Sequence, residues 1–230
     1  MTLQASSPDM SAPTREEEQS DVIRRLEEDI IFGRFAPGSR LVEDTLMARY
    51  SASRHFVRQG LFQLERQGIV LREKNIGATV RFFSAEEIRQ IYEVREMLTR
   101  QAALMIALPA PASLIEQLTE LQRAYCARAD AQDLRGIHEA NDAFHVALFS
   151  ACGNPYLVRS LQDYMNLTLP MRAKNLADAE GLALSRRQHE FMIELLRGRD
   201  SWAFAQLCVD HMQSSKADYL ERIAGDANRD

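Results

Sequence analysis

Apolar residues in the first third of the chain recur every three to four positions, which is the spacing of one face of an α-helix. From residue 69 the period changes to two, and residues 69–81 carry a glycine-containing turn, which predicts a small β-hairpin. The helices predicted before the hairpin cover about residues 18–33, 42–50 and 51–68. Three helices followed by a hairpin is therefore the expected order of elements.

After Phe83 every apolar stripe has helical spacing. Ser84–Glu87 and Ser113–Glu116 each match a capping box, so we expect a helix to begin at both places. Asn154-Pro155 resembles a helix start with proline at the first helical position. The predicted helices cover about residues 84–107, 113–129, 132–151, 155–175, 182–198 and 200–224.

The predicted fold class is mainly α, with a winged helix-turn-helix before an all-α helical bundle. Three helices and a hairpin match the winged helix-turn-helix, which we assign to residues 18–83. The helical bundle is expected over residues 84–225. Residues 1–17 hold few large apolar side chains and are expected to form a disordered tail.

Composition excludes some classes of protein. The chain has 230 residues, of which 46% are hydrophobic and 27% charged, as in an ordinary globular protein. No apolar run approaches the ~18 residues of a membrane span, so we expect no membrane partner. Three cysteines at irregular spacing predict no disulfide framework and favour the cytoplasm.

The charge is uneven along the chain. The net charge is −5, yet residues 49–81 hold seven basic and two acidic side chains. Arg54 and Arg58 lie one turn apart near the start of the third helix, the helix that enters the DNA major groove in a winged helix-turn-helix. A forked guanidinium suits guanine or phosphate, although a solvated helix face is the alternative. The pattern favours double-stranded DNA as the partner.

Histidines are concentrated in the helical region. Asn141 and His145 lie four residues apart and so share one helix face. With His189 and His211, His145 gives three imidazoles on three predicted helices, which could converge in a bundle core. Three imidazoles can hold a metal ion and leave coordination positions open. Structural histidines bonded to backbone carbonyl groups are the alternative.

Residues 20–82 resemble the DNA-binding domain of GntR-type bacterial transcription regulators. The family's Gly-x-x-x-Pro-Gly turn matches Gly33 to Gly38, and its Ser-Arg-x-x-Val-Arg recognition helix matches Ser53 to Arg58. Phe56 stands where the family usually has proline, so the operator sequence does not carry over. The resemblance implies DNA contacts from Ser53, Arg54, His55, Arg58, Lys74, Asn75 and Gly77.

Residues 85–222 resemble the FCD effector-binding domain of the FadR branch of GntR regulators. That family binds metal through an Asp or Asn, a His four residues later, and two His from later helices. The resemblance therefore implies a divalent ion, with zinc as the expected metal, at Asn141, His145, His189 and His211. It also implies Arg95 as a contact for a small organic acid effector. Asn141 is a neutral and weaker ligand than a carboxylate.

The function expected from these features is a homodimeric regulator, acting as a repressor at an inverted-repeat operator. Two recognition helices are needed for useful specificity, because one reads only a few base pairs. The alternatives are a metal-dependent all-α hydrolase and an adaptor that uses the winged helix for protein contacts. A hydrolase needs a base or nucleophile beside the metal, and the sequence has no His-Glu-x-x-His motif.

Overall fold

The computed structural model describes residues 15–73 and 77–227. Residues 1–14 of the expected disordered tail, and Lys74 and Asn75, lie outside them. The elements are α1 (Arg15–Ile31), β1 (Arg40–Leu41), α2 (Glu43–Tyr50), α3 (Arg54–Arg66), β2 (Val70–Glu73), β3 (Gly77–Val80), α4 (Ala85–Leu104), α5 (Ala112–Asp130), α6 (Leu134–Ser150), α7 (Pro155–Leu167), α8 (Leu169–Ala177), α9 (Ala179–Leu195) and α10 (Ser201–Ala227). No helix within these parts of the chain is long and apolar enough to cross a membrane.

The first three helices pack over one apolar core with the small sheet. Leu26, Leu46, Leu61 and Leu64 are buried there. Ser53 caps α3 as expected, because its Oγ accepts from the backbone N–H of Phe56 at 3.4 Å. These contacts confirm the predicted helix-turn-helix.

The sheet has three strands where the sequence predicted a hairpin of two. β2 and β3 form the hairpin, with Val70 opposite Val80. β1 pairs antiparallel with β3, with Leu41 opposite Ala78, so the strand order is β1-β3-β2. A strand of two residues carries no alternation of apolar and polar positions, so the periodicity did not reveal it.

Of the two capping boxes predicted in the helical region, one is confirmed and the other prediction is wrong. Ser84 and Glu87 form both reciprocal bonds at the start of α4. The predicted box at Ser113 is wrong, because α5 begins at Ala112 with Pro111 in the N-cap position. Ser113 therefore lies inside the first turn and cannot cap it.

The single helix predicted over residues 155–175 is also wrong. It is two helices, α7 and α8, joined at Thr168. Pro170 lacks the N–H that would continue the ladder, and proline disfavours a helical residue before it. At the junction, both the backbone N–H and the hydroxyl of Thr168 donate to the carbonyl oxygen of Tyr164, at 3.2 and 2.9 Å.

Helix α8 packs against both halves of the chain. Leu169 and Ala173 belong to the apolar core of the first three helices. Met171 instead packs in a cluster with Tyr92 of α4 and Met212 of α10. A further link is the ion pair between Arg135 of α6 and Glu28 of α1, with an N–O distance of 2.8 Å.

Candidate functional site

The first candidate surface is the exposed side of α3. Arg54 donates to Asp44 at 2.6 Å, and Arg58 donates through Nε to both carboxylate oxygens of Glu43 at 2.9 and 3.0 Å. More than half of each arginine side chain is solvent-exposed. The acidic first turn of α2 thus holds both guanidinium groups at the exposed surface of α3. A nucleic-acid phosphate could compete there with the two carboxylates for these groups.

The rest of that surface is only partly described. His55 is exposed at the start of α3, with its ring 5.8 Å from that of Phe56. Gly77 has φ +98°, and a Cβ there would lie 3.8 Å from the Arg40 guanidinium. The sequence did not point to Arg40, which lies on β1 and reaches the hairpin through strand pairing.

The second candidate site is the cluster of three histidines. Their helices α6, α9 and α10 bring together the Nε2 atoms, which lie 3.0 Å apart for His145 and His211 and 3.3 Å apart for His189 and His145. All three ligand atoms lie within 4.8 Å of one another. In a tetrahedral zinc site, two ligand nitrogens lie about 3.3 Å apart, which is close to the distances between these Nε2 atoms. The donor set therefore fits a metal ion.

Hydrogen bonds on the far side of the rings orient two of these histidines. His189 Nδ1 lies 3.0 Å from Gln122 Oε1, and the amide nitrogen of Gln122 donates to the carbonyl oxygen of Arg186. That second bond fixes which end of the amide faces the ring, so Nδ1 of His189 carries the proton. His211 Nδ1 lies 2.8 Å from Gln188 Oε1. The lone pairs of both Nε2 atoms therefore point to the centre of the cluster.

The pKa values of the histidines favour the metal-binding form. Burial lowers the pKa of His211 to about 3, and the charges of Arg95 and Arg172 add to the effect. Burial and neighbouring groups also hold the pKa of His145 and His189 well below the ordinary value. The three imidazoles are thus neutral at pH 7, the state that binds metal.

A small pocket lies beside the histidines. Asn141, predicted as a ligand, is buried and lines it together with His145 and His211. The predicted effector contact Arg95 also lines it and is buried. Arg95 donates to Thr168 Oγ1 at 3.1 Å, and its Nε has no partner among the described residues. Burial lowers the pKa of Arg95 to about 10.

The sequence did not reveal a second buried arginine in this pocket. Arg172 of α8 donates to Asp142 at 2.6 Å and to the carbonyl oxygen of Met165. Asp142 therefore pairs with Arg172 and does not belong to the histidine cluster. The sequence does show an arginine within the apolar run of residues 169–177. Its ion pair with Asp142 could not be predicted, because Asp142 lies on α6, 30 residues away.

Two further residues that could ligate a metal, His138 and Cys208, lie outside the histidine cluster. His138 faces a cavity between α1 and α6, with Nε2 3.5 Å from Asp142. Cys208 is buried in the apolar core of the helical bundle. Neither belongs to the group of possible metal ligands found among the described residues.

The fold and these two sites define a winged-helix DNA-binding protein that carries an all-helical domain with a histidine-lined pocket. The chain belongs to the GntR family of transcription regulators: the model for bacterial regulatory proteins of the gntR family matches residues 18–80, and the FCD domain model matches residues 90–214. Both matches confirm the resemblances drawn from the sequence.

Relatives with this architecture are regulators and not enzymes. The HTH-type transcriptional repressor GlaR of Escherichia coli K12 is 26% identical over 219 residues, covering 89% of this chain and 97% of its own. The repressor RspR of the same strain is 24% identical, covering 84% of each chain. The solved structure of E. coli McbR/YncC has a TM-score of 0.68 at 20% identity, covering 90% of this chain and 98% of its own. The structural likeness shows a shared fold.

Proposed function

We propose that this DNA-binding transcription regulator is a cytoplasmic repressor that acts as a homodimer on an inverted-repeat operator. A small carboxylate effector, bound at a zinc or similar divalent ion, releases it from DNA. Residues 18–83 hold the DNA and residues 84–225 hold the effector and the dimer contacts. The observation that carries this proposal is that the ring nitrogens of three histidines meet beside a pocket that contains buried Arg95, whose Nε has no partner among the described residues.

The metal would be held by His145, His189 and His211, with the neutral amide of Asn141 as a further oxygen donor. Bound there, a divalent ion supplies a Lewis-acidic position for an effector carboxylate. Arg95 supplies an adjacent positive charge. Among the described residues no acidic side chain lines the pocket, so the arrangement suits ligand binding better than hydrolysis.

Helix α8 supports a route from the pocket to the DNA-binding half. Its Arg172 lines the pocket while Leu169 and Ala173 pack in the core of the first three helices. Arg95 also bonds to Thr168, where α8 starts. An effector changes DNA affinity only if it binds two dimer geometries unequally. A shift of α8 in the effector-bound form is such a difference.

DNA binding is tested with a gel shift on the protein's own promoter region. Replacing Arg54 or Arg58 with alanine should weaken operator binding about tenfold or more if each contacts a base. Arg123→Ala, on the exposed side of α5, is the matched control and should bind normally. Unchanged affinity in the Arg54/Arg58 double variant would contradict the assignment of α3.

The metal and effector are tested separately. Elemental analysis should find up to one divalent ion per chain, lost in His189→Ala/His211→Ala and kept in His138→Ala, which removes a histidine outside the cluster. Operator complexes are then titrated with small organic acids, with and without chelator. An acid that releases DNA equally well from metal-free protein and from Arg95→Gln would show that the effector acts elsewhere.

A further inference from the structure

The pocket beside the histidines is unusually positive. Its lining includes Arg95 and Arg172 and, among the residues described, no carboxylate. Within residues 15–73 and 77–227, Asp142 is the one acidic side chain that compensates this charge, and it is bonded to Arg172. Arg95 donates to the hydroxyl oxygen of Thr168 and has no acidic partner in the part of the chain that the structure describes. One positive charge is therefore left uncompensated even before a metal ion is counted.

The proposed metal ligands do not reduce this charge. His145, His189 and His211 are neutral, and Asn141 is an amide where a carboxylate would have cancelled one charge. With a divalent ion bound, the pocket carries three uncompensated positive charges. Buried charges are costly unless they are paired, so the missing anionic groups must come from the ligand.

Hydroxyl groups around the pocket are already engaged. Ser185 Oγ accepts from the Tyr125 hydroxyl at 3.0 Å, and Ser215 Oγ lies 2.9 Å from the Tyr92 hydroxyl. Because these serines already have partners, they are poorly placed to bind the hydroxyl groups of a sugar-like ligand. The two guanidinium groups can bind an anion more strongly. The polar selectivity of the pocket therefore depends mainly on charge.

We propose that the effector is a short-chain organic acid with at least two carboxylate groups. One carboxylate completes the coordination of the ion at the histidines, and the other pairs with the free Nε side of Arg95. The small size of the pocket limits the ligand to a small molecule. This inference rests on the proposed function, since it assigns the chemistry of the effector at that same site.

Isothermal titration of the zinc-loaded protein tests the inference with acids matched in length. The pairs are butanedioate against butanoate and pentanedioate against pentanoate, with inorganic phosphate as a compact dianion. We expect at least one diacid to bind tenfold or more tightly than its monoacid and than phosphate. Equal binding within each pair, or tighter binding of phosphate, would overturn the inference and leave the carboxylate-effector proposal standing. Failure of every acid to bind would contradict the proposed function itself.

Two variants locate the charge that selects the diacid. Asn141→Asp adds a negative charge of nearly the same shape, and because Coulomb energy scales with the product of charges, it should weaken the diacid more than the monoacid. Arg95→Gln should bring the affinity of the diacid down to that of the monoacid. Arg95→Lys, which restores the charge, should recover part of the preference.

The zinc content of each variant is measured alongside, so that loss of metal is distinguished from loss of selectivity. Arg123→Gln, an exposed arginine on α5, is the control and should keep the full preference. A diacid preference that survives both Asn141→Asp and Arg95→Gln in zinc-loaded protein would overturn the inference.

Discussion

Gln122 should determine how tightly the proposed metal is held. Its side chain is only 6% exposed, and its Oε1 accepts the Nδ1 proton of His189 at 3.0 Å. Replacing it with leucine leaves a buried N–H without an acceptor and frees the ring to rotate. Removing such a partner of a metal-binding histidine costs about 10–100-fold in metal affinity. An unsatisfied buried donor costs about 1–3 kcal/mol, a penalty of the same size.

Gln188 provides the matched comparison. It makes the equivalent bond to His211 at 2.8 Å, but it is only partly buried. Water can replace its oxygen in the leucine variant, so we expect a loss of about threefold or less. The structure thus predicts a clear order, with Gln122→Leu far weaker in metal binding than Gln188→Leu.

The assay is competition for zinc against a chromophoric chelator at pH 7.5. Circular dichroism of the metal-free proteins controls for loss of fold. Equal zinc affinity in the two variants, or wild-type affinity in Gln122→Leu, would refute the reasoning that links ring orientation to metal affinity.

Three further predictions concern stability. Burial opposes ionisation of Asp29, but hydrogen bonds from Arg49, Arg34 and Tyr50 outweigh this effect and lower its pKa. Asp29→Asn should therefore lower the free energy of unfolding by about 2 kcal/mol at pH 7. Urea melts should show this difference from wild type shrinking as the pH falls below about 4. Gly68→Ala should destabilise the protein, because Gly68 has φ +77° and a Cβ there would lie 2.6 Å from Leu167 Cδ1; an unchanged melting temperature would contradict this. Leu169→Ala should cost about 2–5 kcal/mol by opening a cavity, and a urea midpoint equal to that of wild type would show that Leu169 is not in the core.

The local elements could be predicted because their signals are local. Ser53 and Ser84 cap their helices through groups three residues away, and the hairpin is one short segment. The predictions failed where neighbouring residues competed. Pro111 moved the start of α5 by one residue, and Pro170 divided a helix whose apolar stripe ran on unbroken.

The residues of the candidate site could be predicted from the sequence only in part. The three histidines are rare residues on three predicted helices, so their spacing suggested a cluster, and the family resemblance then assigned them as metal ligands. Gln122 and Arg172 are common residue types whose importance depends on partners 67 and 30 positions away. No periodicity encodes such a pairing, because it arises from how the helices pack.

The packing of helix α8 limits how the DNA-binding and helical domains of such regulators can be exchanged. The winged helix matches its own family model over residues 18–80, yet Leu169 and Ala173 of α8 complete its core. A chimera that joins this winged helix to another regulator's helical domain would lack those two side chains and expose an apolar patch. Substitutions on the inner face of α1 must likewise fit a helix more than a hundred residues further along the chain. The two halves therefore pack as one unit, although they match separate family models.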